Sequence, residues 1–282
     1  MLICQLRGGF GNHLLNYGLA CVLSHKYSLK IKIVSNSVKN DNLEQRNDTR
    51  TTLQKIVNYD FITEDEINNS NLINITNEQQ FYNLLENLDK SKNYSLNIIG
   101  TRLEFYTKNI DILKVYTKFN YFINDKNDIY VSLRLGMGLN EVAGHSTPFK
   151  KHLRLPFIYY KKSIDYFIEK NNNIKKIIIC SDNFQDNYLQ NFYNTYKQIE
   201  IIEYKKNTLE QFTALINAKY FVSSNSTYAL LACVFNTKGK VITPYFKETH
   251  TCWKTWQQAY ILSPNTPNSF KMKIDEPGSF IF

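Results

Sequence analysis

Three observations predict an α/β protein with parallel, doubly wound sheets in two domains. Short apolar runs alternate with helical patterns along most of the chain, the order that builds parallel sheets. Polar and glycine residues gather at the carboxyl ends of several of those runs. The 282 residues are enough for one large α/β domain or two smaller ones.

The elements follow in order. Leu2 to Leu6 is an apolar run that reads as a strand, and Arg7-Gly8-Gly9-Phe10-Gly11 follows it. Leu14, Leu15, Gly18, Leu19, Val22 and Leu23 then recur at helical spacing, and Lys30 to Val34 alternates as a half-buried strand does. Together they make a β-loop-α-β unit at the start of the chain. From Asn36 to Thr76 the pattern is weak and Asn-rich, which predicts loops and short helices. Phe81, Leu84, Leu85 and Leu88 form a helix stripe, and Tyr94 to Ile99 reads as a strand closed by Gly100. In the second half Ile129 to Leu135 is a strand, and Pro156 opens a helix through Ile164 and Phe167. Ile174 to Cys180 is a buried strand, Asn183 to Tyr196 a helix, Ile199 to Ile202 a strand and Leu209 to Ala218 a helix. Tyr220 to Ser223 is a strand, Ser226 to Phe235 a helix and Lys240 to Thr243 a strand. The polar stretch Asn124 to Asp128 places the boundary between an N-terminal domain, 1–125, and a C-terminal domain, 126–282.

A hydrophobic content of 43% with 20 Tyr and 18 Phe supplies a packed core, and 21% charged residues argue against wholesale disorder. The net charge of +9 suits anionic partners: a nucleotide diphosphate, or an acidic membrane surface through peripheral association. No run of five basic residues and no nucleic-acid motif occurs, so nucleic acid is not expected as a partner. Cys4, Cys21, Cys180, Cys233 and Cys252 are odd in number and form no Cys-x-x-Cys pair, which fits a reducing compartment. No window is long and apolar enough to span a membrane, and the first residues read as a strand rather than a signal peptide. A cytoplasmic protein is therefore expected.

Four segments could carry chemistry. Arg7-Gly8-Gly9-Phe10-Gly11-Asn12 lies between a strand and a helix, where closely spaced glycines let backbone approach an anion. It is also compatible with a structural turn, and it is no dinucleotide fingerprint, because Leu14 stands where the third glycine would be. Arg134 stands at the carboxyl end of the strand Ile129 to Leu135, where ligands collect in open α/β sheets; its guanidinium suits a phosphate or a carboxylate elsewhere. Ser181 and Asp182 end another strand, with Asp182 a base or ribose contact or a helix cap. Ser223-Ser224-Asn225-Ser226-Thr227 leads from a strand into a helix, as a phosphate cradle or again as a cap. No Asp-x-Asp, Walker lysine loop, zinc spacing or Gly-x-Ser-x-Gly elbow occurs.

These segments, in this order, resemble the GDP-fucose-dependent fucosyltransferases, above all the α1,2-fucosyltransferases of glycosyltransferase family eleven, with some likeness to protein O-fucosyltransferases. Gly8-Gly9-Phe10-Gly11-Asn12 matches their Gly-Gly-x-Gly-Asn loop. Their His-x-Arg-Arg-x-Asp motif falls on Ser132 to Met137, where only Arg134 survives. Ser181-Asp182 matches a Ser-Asp motif, Asn225-Ser226-Thr227-Tyr228 an Asn-Ser-Ser-Phe stretch, and Tyr159 to Ile164 the helix after the arginine motif. The resemblance implies a GT-B fold, two Rossmann-like domains with a donor cleft between them, and an inverting transferase that needs no metal or other cofactor. It implies that Gly9, Gly11, Asn12, Arg134, Ser181, Asp182, Asn225, Ser226 and Thr227 bind the nucleotide sugar, and that a glycan hydroxyl is the acceptor. Arg134 would stabilise the leaving diphosphate, and Glu141, with His145 second, would be the general base. The lost half of the arginine motif keeps two alternatives open: a transferase using another activated sugar, and a non-catalytic nucleotide-sugar or glycan-binding module.

Overall fold

The computed structural model describes residues 1–6, 9–35, 53–57, 61–62, 72–98, 103–122, 126–135, 155–246, 269–275 and 279–281. The chain divides into two units, Met1–Phe119 and Asn120–Phe282.

The first unit is built around β1 (Leu2–Leu6), whose Leu2, Ile3 and Cys4 are wholly buried. The chain passes through α1 (Phe10–Tyr27) to β2 (Ile31–Ser35) and β3 (Phe61–Ile62) on one side of β1. It then forms β4 (Leu72–Ile75), α2 (Glu78–Glu86) and β5 (Asn93–Leu96), and β5 returns to the other side of β1. The sheet order is β3-β2-β1-β5-β4, with every pairing parallel. α3 (Leu103–Lys108) and α4 (Ile110–Tyr116) follow β5.

α1 is buried on nearly all its faces, from Phe10 to Ser24. Gly18 makes this possible: a Cβ there would meet Tyr106 Cε1 at 3.0 Å and Leu113 Cδ2 at 3.3 Å, so α3 and α4 lie close against it. The Tyr106 hydroxyl donates to the Leu15 carbonyl at 3.0 Å and that of Tyr17 to the Tyr116 carbonyl at 2.8 Å. Ser28 ends the helix at φ 56°, while the Ser24 hydroxyl donates to the Leu29 carbonyl at 2.7 Å.

The second unit runs β6 (Asp128–Leu133), α5 (Phe157–Lys170), β7 (Lys176–Ser181), α6 (Gln190–Thr195), β8 (Glu200–Glu203), α7 (Thr208–Ile216), β9 (Tyr220–Val222), α8 (Thr227–Phe235), β10 (Lys240–Phe246), β11 (Ser269–Asp275) and β12 (Ser279–Ile281). Its sheet order is β12-β11-β10-β9-β6-β7-β8, parallel except for the β11–β12 pair. β6 is buried at every position, as the central strand of a covered parallel sheet should be. Ile129, Val131, Ile177, Ile179 and Val222 pack with Tyr159, Ile164 and Phe167 of α5 into one core.

Three local readings of the sequence are corrected here. The predicted helix Asn183 to Tyr196 is a turn, a 3₁₀ turn at Asn187–Leu189 and then the short α6. Asn183 Oδ1 accepts from the Gln185 N–H at 3.0 Å and Asp186 Oδ1 from that of Tyr188 at 2.8 Å, so side chains hold the backbone that a helix would need. Pro156 precedes α5 as its N-cap rather than standing in its first turn. In the weak stretch before Thr76 the described residues hold a short helix at 53–56, as expected, but also β3 and β4.

Candidate functional site

In the second sheet the chain order reverses between β6 and β9. The carboxyl ends of strands on the two sides of such a reversal are where open α/β sheets bind ligands. Arg134 and Leu135 leave β6 there, and Ser223 to Ser226 lead from β9 into α8. Ser181 and Asp182 stand at the end of β7, on the other side of β6. Arg134, Ser181, Asp182, Asn225, Ser226 and Thr227 thus share one end of one sheet.

A row of hydroxyls crosses that end. Ser132 Oγ lies 3.4 Å from Ser224 Oγ, and Ser224 Oγ lies 3.1 Å from Ser226 Oγ. Ser226 caps α8, its Oγ accepting from the Ala229 N–H at 3.1 Å. Residues Ser223 to Thr227 are all buried, so their polar groups need partners. Tyr159 of α5 supplies one: its hydroxyl lies 2.8 Å from the Ser223 carbonyl and 3.2 Å from that of Ile242. Burial holds the Tyr159 phenol well above its ordinary pKa, which keeps it a donor.

Arg134 is half-buried, and its Nε is fully buried without a hydrogen bond. An unmade hydrogen bond at a charged group is costly, and an anionic oxygen would relieve it. Asp182 is exposed at the rim, and its Oδ1 accepts from the Leu135 N–H at 2.7 Å, fixing the backbone next to Arg134. It caps no helix. The Ser181 Oγ accepts from the Asn183 N–H at 3.1 Å in a local turn.

In the first unit Gly9 is the N-cap position of α1, extended at φ −83° and without a side-chain cap bond. A Cβ on Gly9 would meet nothing within 4 Å, so the space above that helix start is open. Gly11 and Asn12 lie in the first turn, and the Asn12 Oδ1 is buried without a hydrogen bond. Arg7, Gly8, Met137, Glu141 and His145 lie outside the described residues.

Sequence reasoning placed Ser224 in the cradle segment but gave Ser132 no role. Strand alternation carried the signal for Ser132, since it places Ser132 on the same face as Arg134. Cys4, Cys21, Cys180 and Cys233 are buried free thiols, and burial raises the pKa of each, that of Cys233 to about 12. None is therefore a thiolate nucleophile at neutral pH. Among the described residues no group of three His, Cys, Asp or Glu side chains is placed to hold a metal ion, and no helix is long and apolar enough to cross a membrane.

No protein-family model matches the sequence, and no curated protein is significantly similar to it. Solved structures are similar in fold. A family 9 glycosyl transferase from Veillonella parvula aligns with a TM-score of 0.52 at 11% identity, over 97% of this chain and 85% of that one. The Escherichia coli ADP-heptose lipopolysaccharide heptosyltransferase II aligns at 0.49 and 8% identity, over 98% and 91%. The NodZ α1,6-fucosyltransferase, in a crystal soaked with GDP-fucose, aligns at 0.47 and 13% identity, over 83% and 91%. The α/β architecture with its two parallel sheets is a GT-B glycosyltransferase fold.

Proposed function

We propose that this chain is a glycosyltransferase that moves L-fucose from GDP-fucose, with inversion, onto a glycan hydroxyl. The observation that carries the transferase reading is Arg134: a cation with a buried, unsatisfied N–H, at the order reversal of the second sheet and beside the start of α8. A nucleoside diphosphate satisfies both the guanidinium and the positive end of a helix. The choice of fucose rests on the motif resemblance alone.

In this reading the acceptor hydroxyl loses its proton to Glu141, or to His145, as its oxygen bonds to the sugar's anomeric carbon. The bond from that carbon to the diphosphate breaks on the opposite face, and the nucleotide leaves with the electron pair. Arg134 and the α8 N-terminus meet the charge that develops on the leaving oxygen, which is the work usually given to a metal. Asp182 holds Arg134 in register and reaches toward the ribose or base, with Ser181 beside it. Asn225, Ser226 and Thr227 cradle the phosphates. A cytoplasmic site of action, with peripheral attachment to acidic membranes, belongs to the same reading.

The test is donor hydrolysis by the purified protein in excess EDTA. GDP-fucose should release GDP slowly, and other sugar nucleotides should do so less. Faster hydrolysis of a different donor would replace fucose. A strict need for added Mg²⁺ would overturn metal independence. Tight binding without hydrolysis would make the chain a binding module, and no binding of any sugar nucleotide would end the reading.

A further inference from the structure

The hydroxyls of Ser132, Ser224 and Ser226 carry three protons and share two contacts. Those contacts are 3.4 Å and 3.1 Å long, and in each of them either oxygen can be the donor. The Ala229 N–H brings a proton of its own to Ser226 Oγ. Among the described residues the three oxygens have no further partner, so one hydroxyl proton is left over. Ser132, Ser224 and Ser226 are 3%, 1% and 7% exposed, and a donor left without an acceptor at that depth is costly.

The left-over proton can stand at either end of the row. At the Ser132 end the row closes inside β6, and the next side chain on that face is Arg134, which offers donors only. At the Ser226 end it opens on the first turn of α8, the positive end of a nine-residue helix. An anionic oxygen held there accepts from Ser226, and that choice sets the other two protons. Ser224 then donates to Ser226 and Ser132 to Ser224, each bond strengthening the next. The Ser132–Ser224 contact, at 3.4 Å, is longer than the about 2.7 Å of a good hydroxyl pair, slack that a bound anion would draw in. We infer that Ser132 is a positioning residue for a phosphate of the donor, acting through Ser224 to aim the Ser226 hydroxyl. The phosphate itself rests on the transferase reading. Without the Ser132 proton, Ser224 is free to accept from Ser226, which turns the Ser226 proton away from the ligand.

The test is a double-mutant cycle on the full chain, read by titration with GDP and with guanosine. Ser132→Ala should weaken GDP binding about three- to tenfold, the worth of one hydrogen bond, and leave guanosine binding unchanged, since only the phosphates meet the row. On a Ser224→Ala background Ser132→Ala should change nothing further, because the row is already cut. If Ser224→Ala fails to fold, the comparison of GDP with guanosine in Ser132→Ala decides. Unchanged GDP affinity in Ser132→Ala, an equal loss for guanosine, or losses that add on the Ser224→Ala background would each overturn the inference and leave the transferase reading standing. No GDP binding by the wild-type chain removes that reading, and the inference with it.

Discussion

Arg134 and Glu141 are separable by what each does to binding and to rate. Arg134→Ala should weaken donor binding and cut turnover by about 100-fold or more, because a preorganised charge-stabilising donor is gone. Glu141→Gln should bind donor normally and lose most turnover. Nucleotide titration and kinetics on both folded variants check this; near-normal turnover in either removes that residue from its role. Asp128 tests a different force. It is buried at the start of β6, and burial pushes its carboxyl above the ordinary range against the pull of Lys176 and Lys126. A carboxyl whose pKa is higher folded than unfolded loses stability as pH rises from the unfolded value through the folded one. Asp128→Asn should therefore gain on the wild type as pH rises through that window, read from urea midpoints at several pH values. A constant difference would show that burial of the charge is not what costs. Arg134 was legible in the sequence because a strand ended there in a cation. Ser226 proved a helix cap, one of the two roles its pattern allowed, and Asp182 bonds the backbone of a different strand, which no local pattern encodes. The unsatisfied oxygen of Asn12 was illegible, since spacing tells which face a residue takes and not whether a partner waits there.

Elements are held in place by turns as much as by their own periodicity. The turn between α8 and β10 is knotted by Asn236, whose Nδ2 donates to the Leu215 and Ala218 carbonyls, both at 2.9 Å, and whose Oδ1 accepts from the Gly239 N–H at 2.8 Å. A Cβ on Gly239 would stand 2.1 Å from the Ala218 carbonyl oxygen, so crowding demands the glycine. Gly239→Ala should cost about 1–3 kcal/mol, the usual range for overpacking, measured by urea unfolding. Unchanged stability would mean that the turn opens freely. Asn217 does similar work, donating to the Asn120 carbonyl and accepting from the Phe122 N–H, and so tying the segment 120–122 into the second unit. The long, strongly periodic elements were legible, among them α1, α5, β6 and β7. β3 and β4 were not, because a two-residue strand and the half-polar Leu-Ile-Asn-Ile carry almost no pattern. The stretch 183–196 misled because its apolar residues recur at helical spacing while the Asn183 and Asp186 side chains compete for the backbone.

Across the whole molecule, parallel sheets were foreseeable from the alternation of elements, but strand order was not, since it depends on which distant strands pair. That order makes the last prediction: with GDP bound, amide hydrogen exchange should slow at 133–135, 181–182 and 223–229, around the β6–β9 reversal. Protection confined to the first unit would place the nucleotide in the other sheet. The same order has a consequence during synthesis. β6 leaves the ribosome early among the strands of its sheet, pairs first with β7, and receives β9 much later. A nascent chain stalled before Val222 therefore exposes one edge of its most buried strand, Asp-Ile-Tyr-Val-Ser-Leu, to any neighbouring chain. Arg134 is translated long before the serines that stand across from it, so the pace of elongation through α5 to α7 governs how long that edge stays sticky.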